Sequence, residues 1–239
     1  MLAGYIDHTI LKPTTSHIEI SKICGEAVKY GFAAVCVPPP FVVSAKEQIT
    51  HLQFALPEGA PVPDVRIATV IGFPFGYSTT KAKLAEVEQA LADGADELDV
   101  VINLIALKAG NWSLLEEEMR ALTGRIHEAG MIVKVIIESG VLTDDEIIRC
   151  CGLYSRVGVD FLKTSTGYAE KGATVEAVKL MRAHLPPKMR IKASGGIRTA
   201  ALAQQLIDAG ADRLGCSASV AIVSEEAGQE GRKSPAAGY

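Results

Sequence analysis

The stretch RVGVDFLKTS, residues 156–165, carries the organising signal of the chain. An amphipathic run ends at Val157, Gly158 follows, and a short β-rich segment begins. Glycine reaches the left-handed backbone state that closes a helix, so the mark reads as a helix C-cap feeding a strand. It returns as KYG-FAAVCV at Gly31, ADG-ADELDVV at Gly94, EAG-MIVKVII at Gly130 and DAG-ADRLGCS at Gly210. Helix starts agree with it at three places. Ser16 with Glu19, Ser113 with Glu116, and Thr143 with Glu146 stand at capping-box spacing, in which the two side chains satisfy each other's free amides.

Strands without the mark complete a set of eight: 4–10 (GYIDHTI), 33–37 (AAVCV), 66–71 (RIATVI), 97–102 (ELDVVI), 131–137 (MIVKVII), 160–165 (DFLKTS), 190–194 (RIKAS) and 212–216 (DRLGC). Helical stretches fill the gaps. Alternating strands and helices imply a parallel sheet, and eight such units imply closure into an α/β (β/α)8 TIM barrel. An open doubly wound sheet is the alternative, but no GxGxxG follows an early strand to mark its usual dinucleotide site. Pro38, Pro39 and Pro40 end the second strand, since proline cannot serve a central ladder. The expected organisation is one barrel domain over residues 1–227, with SASVAIVSEEAG as its closing helix, and a flexible polar tail over 228–239.

Composition narrows the function classes. Apolar residues make up 48% of the 239 and charged residues 22%, enough for a large core. The net charge of −4 gives no basic footprint for nucleic acid. It still permits a phosphorylated substrate, because backbone amides and helix N-termini hold phosphate without a protein-wide positive charge. No apolar run approaches the roughly 18 residues of a membrane span, and MLAGYIDHTILKP lacks the basic-then-apolar order of a signal peptide. A cytoplasmic protein without membrane or nucleic-acid partners is expected. The five cysteines show no CxxC spacing, and the five histidines form no HExxH, so a metal site is not expected.

Period-two alternation places Phe161, Lys163 and Ser165 on one face of the sixth strand. On the seventh it groups Arg190, Lys192 and Ser194, and on the fourth Glu97, Asp99 and Val101. Helices cover a barrel's exterior, so the charged sets should face the lumen, where Lys134 and Asp7 join them. Lys134, Arg190 and Glu97 read as a structural ion network. Lys163 and Lys192 read differently. They stand on adjacent strands near the C-terminal ends, and each leads into a small-residue loop, STG (165–167) or SGG (194–196), suited to an anion. Two close ammonium groups repel, so one gives up its proton more easily, and a neutral amine is what carbonyl attack requires. Schiff-base chemistry and acid–base isomerisation of a sugar phosphate both remain open on the strands alone.

The motifs go further, because the sequence closely resembles the deoxyribose-phosphate aldolase family, the class I Schiff-base aldolases. The matching stretches are DHT (7–9), CV (36–37), RIATVIGFPFG (66–76), GADELDVVIN (94–103), KVIIESG (134–140), DFLKTSTGY (160–168), IKASGGIRT (191–199) and Tyr239. They run in order along essentially the whole chain. The resemblance implies reversible cleavage of 2-deoxy-D-ribose 5-phosphate to acetaldehyde and D-glyceraldehyde 3-phosphate. It makes Lys163 the Schiff-base lysine, Lys192 its perturbing partner, and Asp99 the third proton carrier. Asp7, Thr9 and the C-terminal Tyr239 support them, Cys36 and Lys134 line the pocket, and Gly167, Gly195, Gly196, Gly215 and Ser217 hold the phosphate. No cofactor is implied, since the iminium is the electron sink. The partners are sugar-phosphate and aldehyde substrates and a second copy of the chain, as a homodimer or in some members a homotetramer. Two positions depart from some members: Tyr168 stands in place of lysine, and Ala218 follows Ser217 in place of a second serine. Both bear on the grip on phosphate.

Overall fold

The computed structural model describes residues 1–233, with side chains through residue 228. Its strands are β1 (Ile6–Thr9), β2 (Ala34–Val37), β3 (Arg66–Ile71), β4 (Glu97–Val101), β5 (Ile132–Ile136), β6 (Phe161–Lys163), β7 (Arg190–Ser194) and β8 (Arg213–Cys216). All pair in parallel in chain order, and β8 returns to β1, closing the barrel. The closure excludes the open-sheet alternative. Around the barrel lie α1 (His17–Tyr30), α2 (Val42–Phe54), α3 (Thr80–Ala92), α4 (Leu104–Lys108), α5 (Trp112–Glu128), α6 (Asp144–Val157), α7 (Val175–His184), α8 (Ala200–Asp208) and α9 (Ser219–Lys233). The last of these runs beyond residue 227, where composition had ended the barrel. No helix among the described residues is long and apolar enough to cross a membrane.

The unit around residues 156–165 shows how sequence makes each βα step. Thr143 and Glu146 form a reciprocal capping box at the start of α6, and Asp144, Asp145 and Glu146 put negative charge against the positive end of the helix dipole. Ile147, Cys150, Cys151 and Tyr154 follow at i, i+3, i+4 and i+7, so one stripe is buried against the barrel. Ile147 contributes about 1.5–3 kcal/mol when removed from water, and the smaller cysteines less. Gly158, with φ of 85°, stops the helix and delivers the chain to β6. The other marked glycines, Gly31, Gly94, Gly130 and Gly210, likewise have positive φ.

The capping boxes at Ser16 and Thr143 form as expected, but the one at Ser113 does not. Asn111 caps α5 instead, accepting the Leu114 amide at 3.2 Å, and the helix has begun at Trp112 before Ser113 is reached. Glu116 is therefore free of capping and bonds Arg120 at 2.6 Å. Asparagine is an equally good cap, so two candidates close together left local spacing indecisive.

The core lies between the barrel and its helices. Val35, Ile67, Leu98, Val133, Leu162, Ile191 and Leu214, the outward residues of successive strands, are all at or below 1% exposure. An ion pair is buried in this outer layer too. Lys83 Nζ donates to Glu118 at 2.6 Å and to the Val101 carbonyl at 2.8 Å, tying α3 and α5 to the end of β4. The nearby turn after β3 requires glycine at Gly76, where φ is 71° and an added Cβ would stand 1.7 Å from the Ile102 carbonyl oxygen.

Gly76→Ala should therefore destabilise the barrel far more than Gly130→Ala. Gly130 has similar φ but open space around a Cβ, so its change costs only the left-handed penalty of about 1–2 kcal/mol. Urea unfolding of the two variants measures the difference.

Candidate active site

Strand parity decides what enters the lumen, and register decides which side chains meet there. Lys163 stands opposite Lys192, Asp99 opposite Lys134, and Lys192 opposite Arg213. Asp99 accepts three ammonium groups: Lys134 at 2.7 Å on Oδ1, and Lys163 at 2.8 Å and Lys192 at 2.7 Å on Oδ2. Asp7 takes Lys192 as a close ion pair and Arg213 at 2.5 Å. Glu97 takes Lys134 at 2.6 Å and Arg213 at 3.3 Å. Phe161 lies below, with the Arg190 guanidinium 4.0 Å from its ring centroid. The inward faces of β2 and β3 are of another kind: Ala34, Cys36, Ala68 and Val70 form a small apolar cluster with Leu11 and Phe73 packed on it.

Proton affinities follow from this geometry. Burial opposes ionisation of Asp99, but Lys134, Lys163 and Lys192 outweigh it and hold the carboxyl well below its ordinary value. Burial likewise opposes Asp7, and Lys192 and Arg213 bring it down to about 2. Lys134 and Lys192 are desolvated, yet their carboxylates push both above the ordinary lysine value. Lys163 alone of the three lumen lysines moves the other way. Burial lowers it, Asp99 opposes, and the like charge of Lys192 adds to the lowering. Four cations face three carboxylates in this cluster, so a neutral Lys163 balances it.

Lys163 is also the member of the cluster that borders the space at the C-terminal mouth, whereas Arg213 reaches a shallower pocket beside Gly31 and Asp64. A cavity of about 510 Å3 lies at the C-terminal mouth of the barrel and is lined by Lys163, Thr9, Gly167, Gly195, Gly196, Gly215 and Ser217 among others. The size suits a small-molecule site. The structure thus gathers the five proposed phosphate residues, Thr9 and Lys163 around one space. Asp99, Lys192 and Asp7 stand behind Lys163, fully buried. Cys36 and Lys134, expected as lining, do not line the cavity. Cys36 lies in the β2–β3 cluster with its thiol pushed up by burial, and Lys134 lies deeper, between Asp99 and Glu97. Arg190, expected in the ion network, stacks on Phe161 instead. Tyr239 lies outside the described residues.

Several residues of the site were not singled out from sequence. Arg213 bridges Asp7 and Glu97, and period-two alternation applied to β8 would have found it. Lys12, Lys22 and Arg198 line the outer cavity and bring positive charge to its rim, beside Glu19 and Glu26. Glu138, 3% exposed, accepts from the amide and hydroxyl of Thr166. Burial pushes its carboxyl up, against the lowering effect of those bonds. Tyr168, by contrast, stands out in the sequence as a departure from some family members; it donates its hydroxyl to the Leu11 carbonyl at 2.8 Å and sets its ring edge-on to Phe73, bridging three loops of the mouth. Among the described residues, no group of three or more His, Cys, Asp or Glu side chains is placed to hold a metal ion.

Known proteins resemble this chain along the full barrel. The family described as DeoC/LacD family aldolase matches residues 1–225. The chain belongs to that family. Among its relatives, deoxyribose-phosphate aldolase of Thermococcus gammatolerans is 48% identical over 222 residues, covering 93% of this chain and 95% of its own. The protein of that name from Exiguobacterium sp. is 45% identical over 223 residues, covering 93% and 96%. A solved structure from Aeropyrum pernix, described as a unique tetrameric structure of deoxyribose phosphate aldolase, superposes with a TM-score of 0.85. It is 30% identical, with 95% of this chain and 92% of that one covered.

The buried cluster makes Lys134 a strong structural dependency. Lys134→Met should remove about 3–5 kcal/mol of stability, because Asp99 and Glu97 lose a buried counter-charge. Lys46→Met, which breaks the half-exposed pair with Asp96, should cost under about 1 kcal/mol. Denaturant melts of the two proteins check the contrast.

Proposed function

We propose that this chain cleaves 2-deoxy-D-ribose 5-phosphate, reversibly, to acetaldehyde and D-glyceraldehyde 3-phosphate through an imine on Lys163. The observation that carries the assignment is the position of Lys163. It joins the buried charge cluster to the cavity, and it is the lumen lysine whose proton affinity is lowered from the ordinary lysine value, by burial and by the like charge of Lys192. The names of the family relatives support the substrate.

The chemistry follows from the inventory. The neutral Lys163 amine attacks the C1 aldehyde of the open-chain sugar, and loss of water leaves an iminium ion. A base removes the C3 hydroxyl proton, the C2–C3 bond breaks, and its electrons pass into the iminium to give an enamine. Glyceraldehyde 3-phosphate departs as an aldehyde. Protonation of the enamine at C2 and hydrolysis release acetaldehyde and return the amine. Asp99 is ionised and its Oδ2 touches Lys163 and Lys192 together, so the Asp99–Lys192 pair is the proton relay, completed by water in the cavity. Asp7 holds Lys192 in its cationic form. The phosphate lies against Gly167, Gly195, Gly196, Gly215 and Ser217, the end of the barrel where phosphate commonly sits, with Arg198 and Lys12 adding charge at the rim.

Borohydride reduction in the presence of acetaldehyde, followed by peptide mass mapping, tests the central step. An N-ethyl group should appear on Lys163. Label on Lys192, or no label in an enzyme that turns over, would overturn the assignment.

A second test addresses the electrostatics. Lys192→Leu removes a like charge and frees Asp99 for Lys163, and each effect favours the ammonium form. The pKa governing imine formation should therefore rise, and the rate at neutral pH should fall. Burial is the largest cause of the lowering, so part of it should survive the substitution. The pH profile of imine formation reads this out, and an unshifted profile would remove Lys192 from the role.

A further inference from the structure

Glu138 combines two features that seldom coincide. Its φ of 55° places it in the left-handed region, as the one non-glycine residue there among the described residues. A long L side chain rarely adopts that backbone, and such strain persists where the surroundings over-determine it. Its carboxylate is also buried, at 3% exposure. Both features serve one contact. The Thr166 amide donates to the two carboxylate oxygens at 3.3 and 3.2 Å, and the Thr166 hydroxyl donates to Oε2. That hydroxyl in turn accepts the Tyr168 amide at 3.1 Å. The order of the chain is therefore fixed: Tyr168 gives to Thr166, and Thr166 gives to Glu138.

Gly167 lies between these two tethered residues and lines the cavity. The rest of its loop is wedged by backbone. A Cβ on Gly140 would come within 2.4 Å of the Lys171 carbonyl oxygen, and one on Gly172 within 2.2 Å of that of Gly195. Ser139 also donates to the Thr164 carbonyl at 2.7 Å. The turn after β6 is thus held from the β5 side and packed against the β7 side. Lys163 is positioned by other means, through its register with Ile136 and Lys192 and its bond to Asp99.

We infer that Glu138 is a positioning residue for the phosphate end of the site, fixing the Thr166–Tyr168 turn so that Gly167 meets the phosphate, while the imine chemistry proceeds without it. The inference rests on the seating of phosphate proposed above. A carboxylate behind an anion seat contributes no attraction, so its role is geometric. For holding the turn, that makes the charge dispensable and the acceptor oxygen essential, while the charge of Lys163 that reaches this carboxyl is what the labelling control reads.

Steady-state kinetics on 2-deoxyribose 5-phosphate and on unphosphorylated 2-deoxyribose test it, with acetaldehyde–borohydride labelling of Lys163 as the control for the catalytic end. Glu138→Ala should raise KM for the phosphorylated sugar about tenfold or more, while kcat/KM for 2-deoxyribose and the labelling rate change by less than about threefold. Glu138→Gln keeps an oxygen that accepts from Thr166, and should hold KM within about threefold of wild type. Thr166→Val breaks the same chain from the other side and should reproduce the KM rise, which keeps the test available if Glu138→Ala fails to fold. Equal loss on the two sugars, or failure of glutamine to rescue, would overturn the positioning role. A wild-type preference for the phosphorylated sugar that Glu138→Ala and Thr166→Val leave intact would overturn it alone. A wild-type enzyme indifferent to the phosphate would overturn the seating itself, and this inference with it.

Discussion

Three carboxylates, Asp7, Glu97 and Asp99, share the barrel lumen with four cations, Lys134, Lys163, Lys192 and Arg213. Charges this deeply buried persist only when paired, and six of these seven can be paired completely. The surplus positive charge must reside on one group. It falls on Lys163 because that side chain has a single carboxylate contact, shared with Lys192, whereas Lys134 and Lys192 each bind two carboxylates closely. The same lysine borders the cavity, so in the proposed reaction the amine most readily neutral is the one a substrate carbonyl meets. On that reading, structural charge balance and nucleophile activation are one arrangement.

The lumen is divided as well as charged. On β2 and β3 the buried inward residues are small and apolar, and the charged side chains of the lumen come from β1 and β4 to β8. Leu11 and Phe73 pack on this apolar side from the loops, and Leu11 also lines the cavity. Cys36 belongs to this apolar half. Its elevated thiol pKa and its lack of access to the cavity suit packing, not nucleophilic attack.

At the mouth, the work passes from side chains to backbone. The loops after β6 and β7 approach so closely at Gly172 and Gly195 that no Cβ fits between them. Phosphate seats built from amides depend on such rigidity, because a backbone donor cannot swing to meet its ligand as a lysine can. Tyr168, at a position where some family members carry a cation, serves this rigidity by bonding the β1 loop and packing on the β3 loop. Positive charge enters the cavity from other elements, through Lys12, Lys22 and Arg198.

Local chemistry in the chain determined the repeated unit. Glycine between an amphipathic run and a β-rich run follows a helix end with positive φ at all five marked places, and strand parity alone turned Lys163, Lys192 and Asp99 inward. The motifs added the family and the reaction. What parity could not supply is depth along the lumen or contact across it. Lys134 points inward like Lys163, yet register sinks it between Asp99 and Glu97, away from the cavity where it was expected. Arg190 shares a face with Lys192, but the ring of Phe161 lies across its path. Local spacing also failed at Ser113, where Asn111 offered an equivalent cap two residues earlier. Glu138 lies in the KVIIESG stretch, but nothing local marks its role, because its left-handed backbone and its bond to Thr166 arise only when β5 and β6 pair and their loops meet. Directions of side chains are set by neighbours in sequence. Their partners, and hence their proton affinities, are set by strand register and loop packing, which exist only in the closed barrel.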